Sequence, residues 1–566
     1  MMIRPSKVVI VIVLAVLVFG GTFLIVNWTQ NVGLTSSEIS EERAVSDMDR
    51  LYKRVRVYEL EPVKENVDLR PVDVAESLPS IDKYPPQVDN TTPDYVEIFS
   101  STEKATVNTS GQDMDRWLVD IAEQFNREGL LVNGKPASAL IRGIASGAAM
   151  DYITSGKYVP DAFTPSNELW GDSLTALGVN AKLAERRLAG NVAGIVLTNA
   201  KHDEMIQKYG SVSLNTVIEA VASGDVIMGY TNPFASSAGV NFLMSTLFTF
   251  DSANPLSDTA TSAFERFQTN IPFVAYTTLQ MKESAQSGVL DGFVFESQLF
   301  ANSADLKKEY VFTPFGVRHD SPIYALGDLS AQKQEILRMF IDYCLTDDAQ
   351  QLASKYGFNQ YDDYRPEINA VGNVVGQAQK LWKEKKSGNR EVVAVFVADT
   401  SGSMDGEPML NLKQSLLTGA NLISTDSSIG MVTFSDDVNI ALPIAKFDLN
   451  QRSLFTGAVR NMSTNGGTAM FDAIVVAEKM LYDAKAQYPN AKLMLFVMTD
   501  GETNQGSSFK DTKDVIAGLK IPVYTIGYNA DISVLQQISS LNEAANINAD
   551  TEDVVYKIQN LFNAEM

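Results

Sequence analysis

Hydrophobic and polar positions divide the chain into segments of different texture. The first is an uncharged apolar run from Val8 to Val26, preceded by Arg4 and Lys7. At ~1.5 Å per residue a helix of this length crosses a ~30 Å hydrocarbon core. It exceeds the roughly 7–15 residues of a signal-peptide apolar region. No A-x-A-like cleavage site and no lipid-acceptor cysteine follows it. Trp28 lies where an interfacial aromatic belongs, and Glu38, Glu41 and Glu42 come after it. Positive charge on the N-terminal side predicts a cytoplasmic stub and signal anchor over residues 1–28, a single membrane pass, and the bulk of the chain outside the cell. The competing reading is a long signal peptide cut near Gly20-Gly21.

Residues 29–93 are polar and punctuated by Pro62, Pro71, Pro79, Pro85, Pro86 and Pro93. They read as a stalk, or as an embellishment packed on the next domain. From Tyr95 the pattern becomes alternating α/β. Val96-Glu97-Ile98-Phe99 reads as a strand ending in Ser100-Ser101-Thr102. Trp117, Leu118, Ile121 and Phe125 follow at helical spacing. Val226 to Tyr230 and Gly292 to Phe295 are further strands, and Glu335 to Gly357 predicts one long helix. Residues 94–382 form this unit, and the charged stretch Lys383 to Arg390 reads as a linker.

Residues 391–566 form the last unit. Val392 to Ala398, Ser428 to Phe434, Lys492 to Thr499 and Ile521 to Ile526 are nearly continuous apolar runs. Helical patterns separate them at Leu410 to Leu422 and from Thr468 through Met480, and Thr551 to Phe562 predicts a closing helix. Apolar strands alternating with helices predict a parallel sheet covered on both faces.

Composition narrows the function. At 566 residues the chain holds roughly three or four domains. A net charge of -23 argues against nucleic acid, whose phosphates need a basic face. The single cysteine, Cys344, rules out an internal disulfide and a Cys-based zinc cluster. The two histidines, His202 and His319, lie in no nucleophile motif and read as surface or packing residues. No nucleophile with a paired base is visible, so the expectation is a binding protein rather than an enzyme.

The chemistry concentrates where the Val392–Ala398 run gives way to Asp399-Thr400-Ser401-Gly402-Ser403. In an open α/β sheet, ligands bind at the carboxyl ends of the strands. Hard oxygen donors with little negative charge suit Mg²⁺, which keeps open positions and waters. Two further loops, Asn465-Gly466-Gly467-Thr468 and Thr499-Asp500-Gly501-Glu502, fall at equivalent ends.

This ordered set, D-x-S-x-S, then a loop Thr, then T-D-G, resembles the von Willebrand factor type A domain with its metal-ion-dependent adhesion site. The resemblance implies a doubly wound, Rossmann-like fold over residues 391–566. It implies that Ser401 and Ser403 ligate Mg²⁺ (or Mn²⁺ or Ca²⁺) through hydroxyls, and Thr468 directly or through water. Asp399 and Asp500 would hold the coordinating waters, and a partner's acidic residue would fill the open position. Asp472 reads as a carboxylate suited to a helix start rather than a ligand.

Tyr95 to about Gly357 resembles the bacterial extracellular solute-binding proteins. The resemblance is carried by Ser100-Ser101-Thr102, Val159-Pro160-Asp161-Ala162, Asn232-Pro233 with Ser237-Ala238-Gly239, and the closing Phe340 to Leu345, Gln350 to Ala353 and Tyr356 to Phe358. It implies a periplasmic-binding-protein-like domain of two α/β lobes with a ligand cleft between them. Ser101, Thr102, Ser237 and Glu296 are the cleft candidates; ordinary capping and turn roles are the competing reading. Two functions follow as expectations: a membrane-anchored extracellular binding protein that engages a protein partner through the cation, or a transport- or resistance-associated receptor for a small solute.

Overall fold

The computed structural model describes residues 39–566, except 71–72, 108–113, 272, 276–280, 283–289, 367–371, 389, 502, 529–532, 542–545 and 551–552. The Val8–Val26 run lies outside the described residues. Among those described, no helix is long and apolar enough to cross a membrane.

The C-terminal sheet has seven strands, in spatial order Val57–Glu59, Val438–Lys446, Ser428–Phe434, Val392–Asp399, Lys492–Thr499, Val523–Tyr528 and Asn546–Ala549. The period-two geometry of the central strand explains its unbroken apolar sequence. Val392, Ala394, Phe396 and Ala398 enter one core. Val393, Val395 and Val397 enter another on the opposite face. Parallel pairing joins the central strand to both neighbours, with Val397 opposite Val432 and Val497. The expected all-parallel sheet needs one correction: Val438–Lys446 runs antiparallel to Ser428–Phe434. Only Ser435, Asp436 and Asp437 separate these two strands, and so short a connection permits no crossover.

The segment expected to be a stalk, or an embellishment packed on the next domain, begins as part of this domain, and only its later part packs on the lobes, through Leu78 and Val88. Glu41–Tyr52 is a helix capped by Ser40, and Ala44, Met48 and Leu51 are buried on it. Those residues and Ile39 join the core made by the second strand face. Val57–Glu59 then pairs in parallel with Val438–Lys446 at the sheet edge. The chain continues across the helix Leu449–Arg460, where the Glu65 N–H reaches the Ser453 carbonyl at 3.1 Å and the Ser453 hydroxyl reaches the Glu65 carbonyl at 2.6 Å. The two-lobed unit is therefore inserted between an N-terminal arm and the domain that the arm completes.

One lobe is built on six strands, Leu131–Val132, Lys135–Gly143, Asp94–Ser100, Ala162–Thr164, Ile323–Leu326 and Ala181–Glu185 in spatial order. The other has five: Tyr310–Arg318, Val192–Thr198, Gly292–Glu296, Met228–Thr231 and Phe273–Ala275. The chain crosses between lobes from Glu185 to Val192 and returns from Arg318 to Ile323. The two crossings touch, as the His319 N–H donates to the Asn191 carbonyl at 2.9 Å.

Two local expectations change. The long helix from Glu335 to Gly357 is two helices, Ala331–Cys344 and Asp347–Lys355. Thr346 caps the second, its hydroxyl accepting the Ala349 N–H at 3.4 Å. The charged linker is partly structured as well. The helix Val375–Lys385 runs into it, and Lys386 sits 5.0 Å from the centre of the Trp382 ring and donates to the Asn563 carbonyl at 2.8 Å.

Candidate functional site

The strand Val392–Asp399 ends with a fully buried carboxylate. One Asp399 oxygen accepts the Ser401 N–H at 2.7 Å, and the other accepts the Thr499 hydroxyl at 2.5 Å. These bonds fold the loop back on the strand and aim the serines across its mouth. Ser401 Oγ and Ser403 Oγ lie 3.0 Å apart, and Ser403 Oγ donates to Asp500 Oδ1 at 2.8 Å. The Gly466 loop closes from the side, because the Gly402 N–H donates to the Gly466 carbonyl at 3.1 Å and the Asn465 N–H to the Thr400 carbonyl at 2.9 Å. Gly466 has φ +65, and a side chain there would collide with the Asp436 carboxylate. Thr468 is buried, its N–H bonded to Asn504 Oδ1 at 2.8 Å and its carbonyl accepting the Thr503 hydroxyl at 2.8 Å.

Burial pushes the Asp399 carboxyl above its ordinary range, and the neighbouring Asp500 pushes it the same way, against the bonds from Thr499 and Ser401. Two carboxylates close together at the end of a buried strand are an environment that a cation relieves. The spacing also fits one. A cation with octahedral oxygens at ~2.0–2.1 Å sets neighbouring ligand oxygens about 2.9 Å apart. The Ser401–Ser403 separation of 3.0 Å is close to that edge, and the 2.8 Å bond from Ser403 sets the Asp500 carboxylate beside the pair. Among the described residues, no group of three or more His, Cys, Asp or Glu is arranged to hold a metal, so a cation here depends on the hydroxyls.

Three supporting residues lie outside the predicted set. Thr499 fixes Asp399, Asp436 accepts the Gly467 N–H at 2.7 Å, and Asn504 holds Thr468. Asp436 stands just past the end of its own strand, as Asp399 does at the end of its strand, which is the signal that could have found it. Asp472 sits in the first turn of the helix Met470–Ala484 and accepts the Ser507 N–H at 2.9 Å.

Between the lobes is a cavity of about 750 Å³, and Ser101, Thr102, Ser237 and Glu296 all line it. Ser101 Oγ donates to Glu103 at 2.6 Å. The buried Lys104 ammonium below it is bonded to Ser101, Glu103 and the Thr164 carbonyl. Burial pushes the Lys104 amine down, while Lys104 and the Ser101 hydroxyl hold Glu103 below its ordinary value in spite of burial. Thr102 is exposed at the rim. Ser237 accepts the Trp170 indole N–H at 2.9 Å and donates to Ser146 at 3.2 Å.

Glu296 is tied to the crossings, with Asn191 Nδ2 at 2.7 Å and His319 Nδ1 at 3.1 Å. The other ring nitrogen of His319 faces the amide nitrogens of Asn167 and Asn241, each at 3.0 Å. The Val317 backbone fixes the Asn241 amide orientation, giving its N–H at 3.0 Å and taking the amide proton at 2.8 Å. His319 Nε2 is therefore an acceptor, and its proton sits on Nδ1, toward Glu296. Far from a plain packing residue, His319 joins both lobes to a cleft carboxylate.

Fold and sites together define an α/β binding protein of two parts, one ending a parallel strand in an oxygen-lined loop and the other holding a cavity between two lobes. The von Willebrand factor type A domain model matches residues 394–563, and the bacterial extracellular solute-binding protein model matches residues 106–359. The chain thus carries a solute-binding-protein-like domain joined to a C-terminal von Willebrand factor type A domain.

Among curated proteins, it is 28% identical over 151 residues to inter-alpha-trypsin inhibitor heavy chain H3 of Bos taurus, covering 25% of this chain and 16% of that one. It is 25% identical over 135 residues to an uncharacterised Synechocystis protein, covering 24% and 31%. The chain therefore spans less than a third of the length of these relatives. Among solved structures, iron-bound HitA from Pseudomonas aeruginosa aligns at 11% identity and TM-score 0.37, covering 52% of this chain and all of that one. A von Willebrand factor type A protein from Catenulispora acidiphila aligns at 19% identity and TM-score 0.29, covering 31% and 42%.

Proposed function

We propose that this protein is an extracellular binding protein, held at the cell membrane by its N-terminal segment, that recognises a protein partner through a divalent cation. Ser401 and Ser403 hold the cation through hydroxyls and Thr468 directly or through water, Asp399 and Asp500 hold its waters and balance its charge, and a carboxylate of the partner completes it. Mg²⁺ suits the donor set best, with Mn²⁺ or Ca²⁺ as substitutes. The observation that carries this reading is the Ser401–Ser403 hydroxyl pair, 3.0 Å apart, with the Asp500 carboxylate bonded to Ser403 beside it. A metal held mostly by hydroxyls, with no paired nucleophile beside it, favours recognition over hydrolysis.

The test is calorimetric titration of Mg²⁺ and Mn²⁺ into the wild-type protein and Asp399→Ala. Saturable heats in the wild type and their loss in the variant are expected; equal heats in both would refute the site. Recovery of a membrane partner with Mg²⁺, and its loss with EDTA, then identifies what the cation holds.

A second reading, a transport- or resistance-associated receptor for a small solute, is favoured by the interlobe cavity, which is large enough for a small molecule.

A further inference from the structure

The interlobe cavity is not closed by the lobes alone. Tyr556, Gln559, Asn560 and Asn563, on the final helix Val554–Glu565 of the type A domain, line it together with the lobe residues. That helix is docked on the lobes. The Tyr556 hydroxyl donates to Asp151 Oδ2 at 2.6 Å, and the Tyr556 ring is buried in the core cluster of the lobes. Lys83 pairs with Asp550 at 2.7 Å just ahead of the helix, and Lys386 holds the Asn563 carbonyl near its end. On this wall Gln559 is 5% exposed, and its amide nitrogen is buried without a hydrogen-bond partner. A buried donor without a partner is unfavourable, so an acceptor that reached it from the adjoining cavity would stabilise the docked helix.

The rest of the lining indicates what would bring that acceptor. Glu103, Asp151 and Glu296 place carboxyl groups on the cavity. Nearby cations are engaged: Lys282 with Asp305 at 3.4 Å, and Lys104 with Ser101, Glu103 and the Thr164 carbonyl. An oxyanion would meet net negative charge. A hydroxyl both donates and accepts, so it can satisfy Gln559 and a carboxylate at once. Phe234 and Phe295 add apolar atoms to the lining, against which the C–H surface of such a molecule can rest.

Resting on the solute-receptor reading of the cleft, we infer that the cavity is a composite site for a small polyhydroxylated solute, built by both lobes and the final helix of the type A domain, and that filling it fixes that helix against the lobes. Solute occupancy and the posture of the cation-binding domain are then linked, since a ligand touching both domains favours their docked state.

The experiment is calorimetry on the full chain with glucose, maltose and sorbitol, against sulfate and spermidine. Hydrogen exchange over residues 554–565 is followed in parallel. A polyol is expected to bind, to slow exchange in that helix, and to bind at least tenfold more weakly to Gln559→Leu and to Asn563→Leu. The second variant keeps the test decisive if the first misfolds. Binding of sulfate or spermidine in place of every polyol would overturn the assigned class. Polyol binding that neither variant weakens, with unchanged exchange, would overturn the composite site yet leave the solute receptor standing. Binding of no probe at all would overturn both.

Discussion

Glu478 shows how a single side chain can set the pH response of a domain. It is fully buried in the helix Met470–Ala484, and neither carboxyl oxygen has a hydrogen-bond partner. Burial pushes its pKa up to about 8. The folded value lies above the unfolded one, so the fold binds the proton more tightly. The stability this proton contributes is therefore full below about pH 4.5 and is lost as pH rises toward 8, at about 1.4 kcal/mol for each pH unit. Glu478→Leu is expected to raise the urea midpoint at pH 8 and to flatten the decline between pH 5 and 8; an unchanged slope counts against this account. At this scale the sequence was legible where chemistry is local. Asp399, Ser401 and Ser403 share one loop, and their alternation is visible in the letters. Thr499 is visible too, as part of the T-D-G loop, whereas Asp436 holds the Gly467 N–H from another strand end, and only folding brings it there.

Among the elements, the N-terminal arm depends on one small residue. Gly457, inside the helix Leu449–Arg460, lies so close to the arm that a Cβ there would stand 1.7 Å from the Val63 carbonyl oxygen. Gly457→Ala is expected to lift residues 60–65 off the helix, and limited proteolysis should then cut within 57–70 much faster than in the wild type. An unaltered digestion pattern would show that the arm is held elsewhere. Elements with strong apolar periodicity, such as Val392–Asp399 and Lys492–Thr499, were readable in advance because both faces of each strand are buried. The arm was not. Val57–Glu59 is a three-residue edge strand, half-buried or exposed throughout, and carries no such pattern. The break between Ala331–Cys344 and Asp347–Lys355 was hidden for another reason, since Leu345-Thr346 interrupts the helix without a proline or glycine.

For the whole molecule, the Lys83–Asp550 pair and the Tyr556–Asp151 bond hold the two domains together beyond their covalent links. The ion pair is partly exposed and is worth ~1 kcal/mol or less on its own. Lys83→Ala combined with Tyr556→Phe is expected to increase the radius of gyration in small-angle scattering while leaving each domain's helix content unchanged. An identical scattering curve would place the docking energy in the apolar contacts instead. The split architecture also bears on biosynthesis. Val57 must pair with Val438, hundreds of residues later in the chain. At ~5–20 residues per second, the arm waits on the order of tens of seconds after emerging before the strand it completes has been made. Throughout that interval the apolar face of Ala44, Met48 and Leu51 lacks its native partner, so the earliest part of this domain to be translated must wait uncovered for the rest, a natural point of attachment for a chaperone.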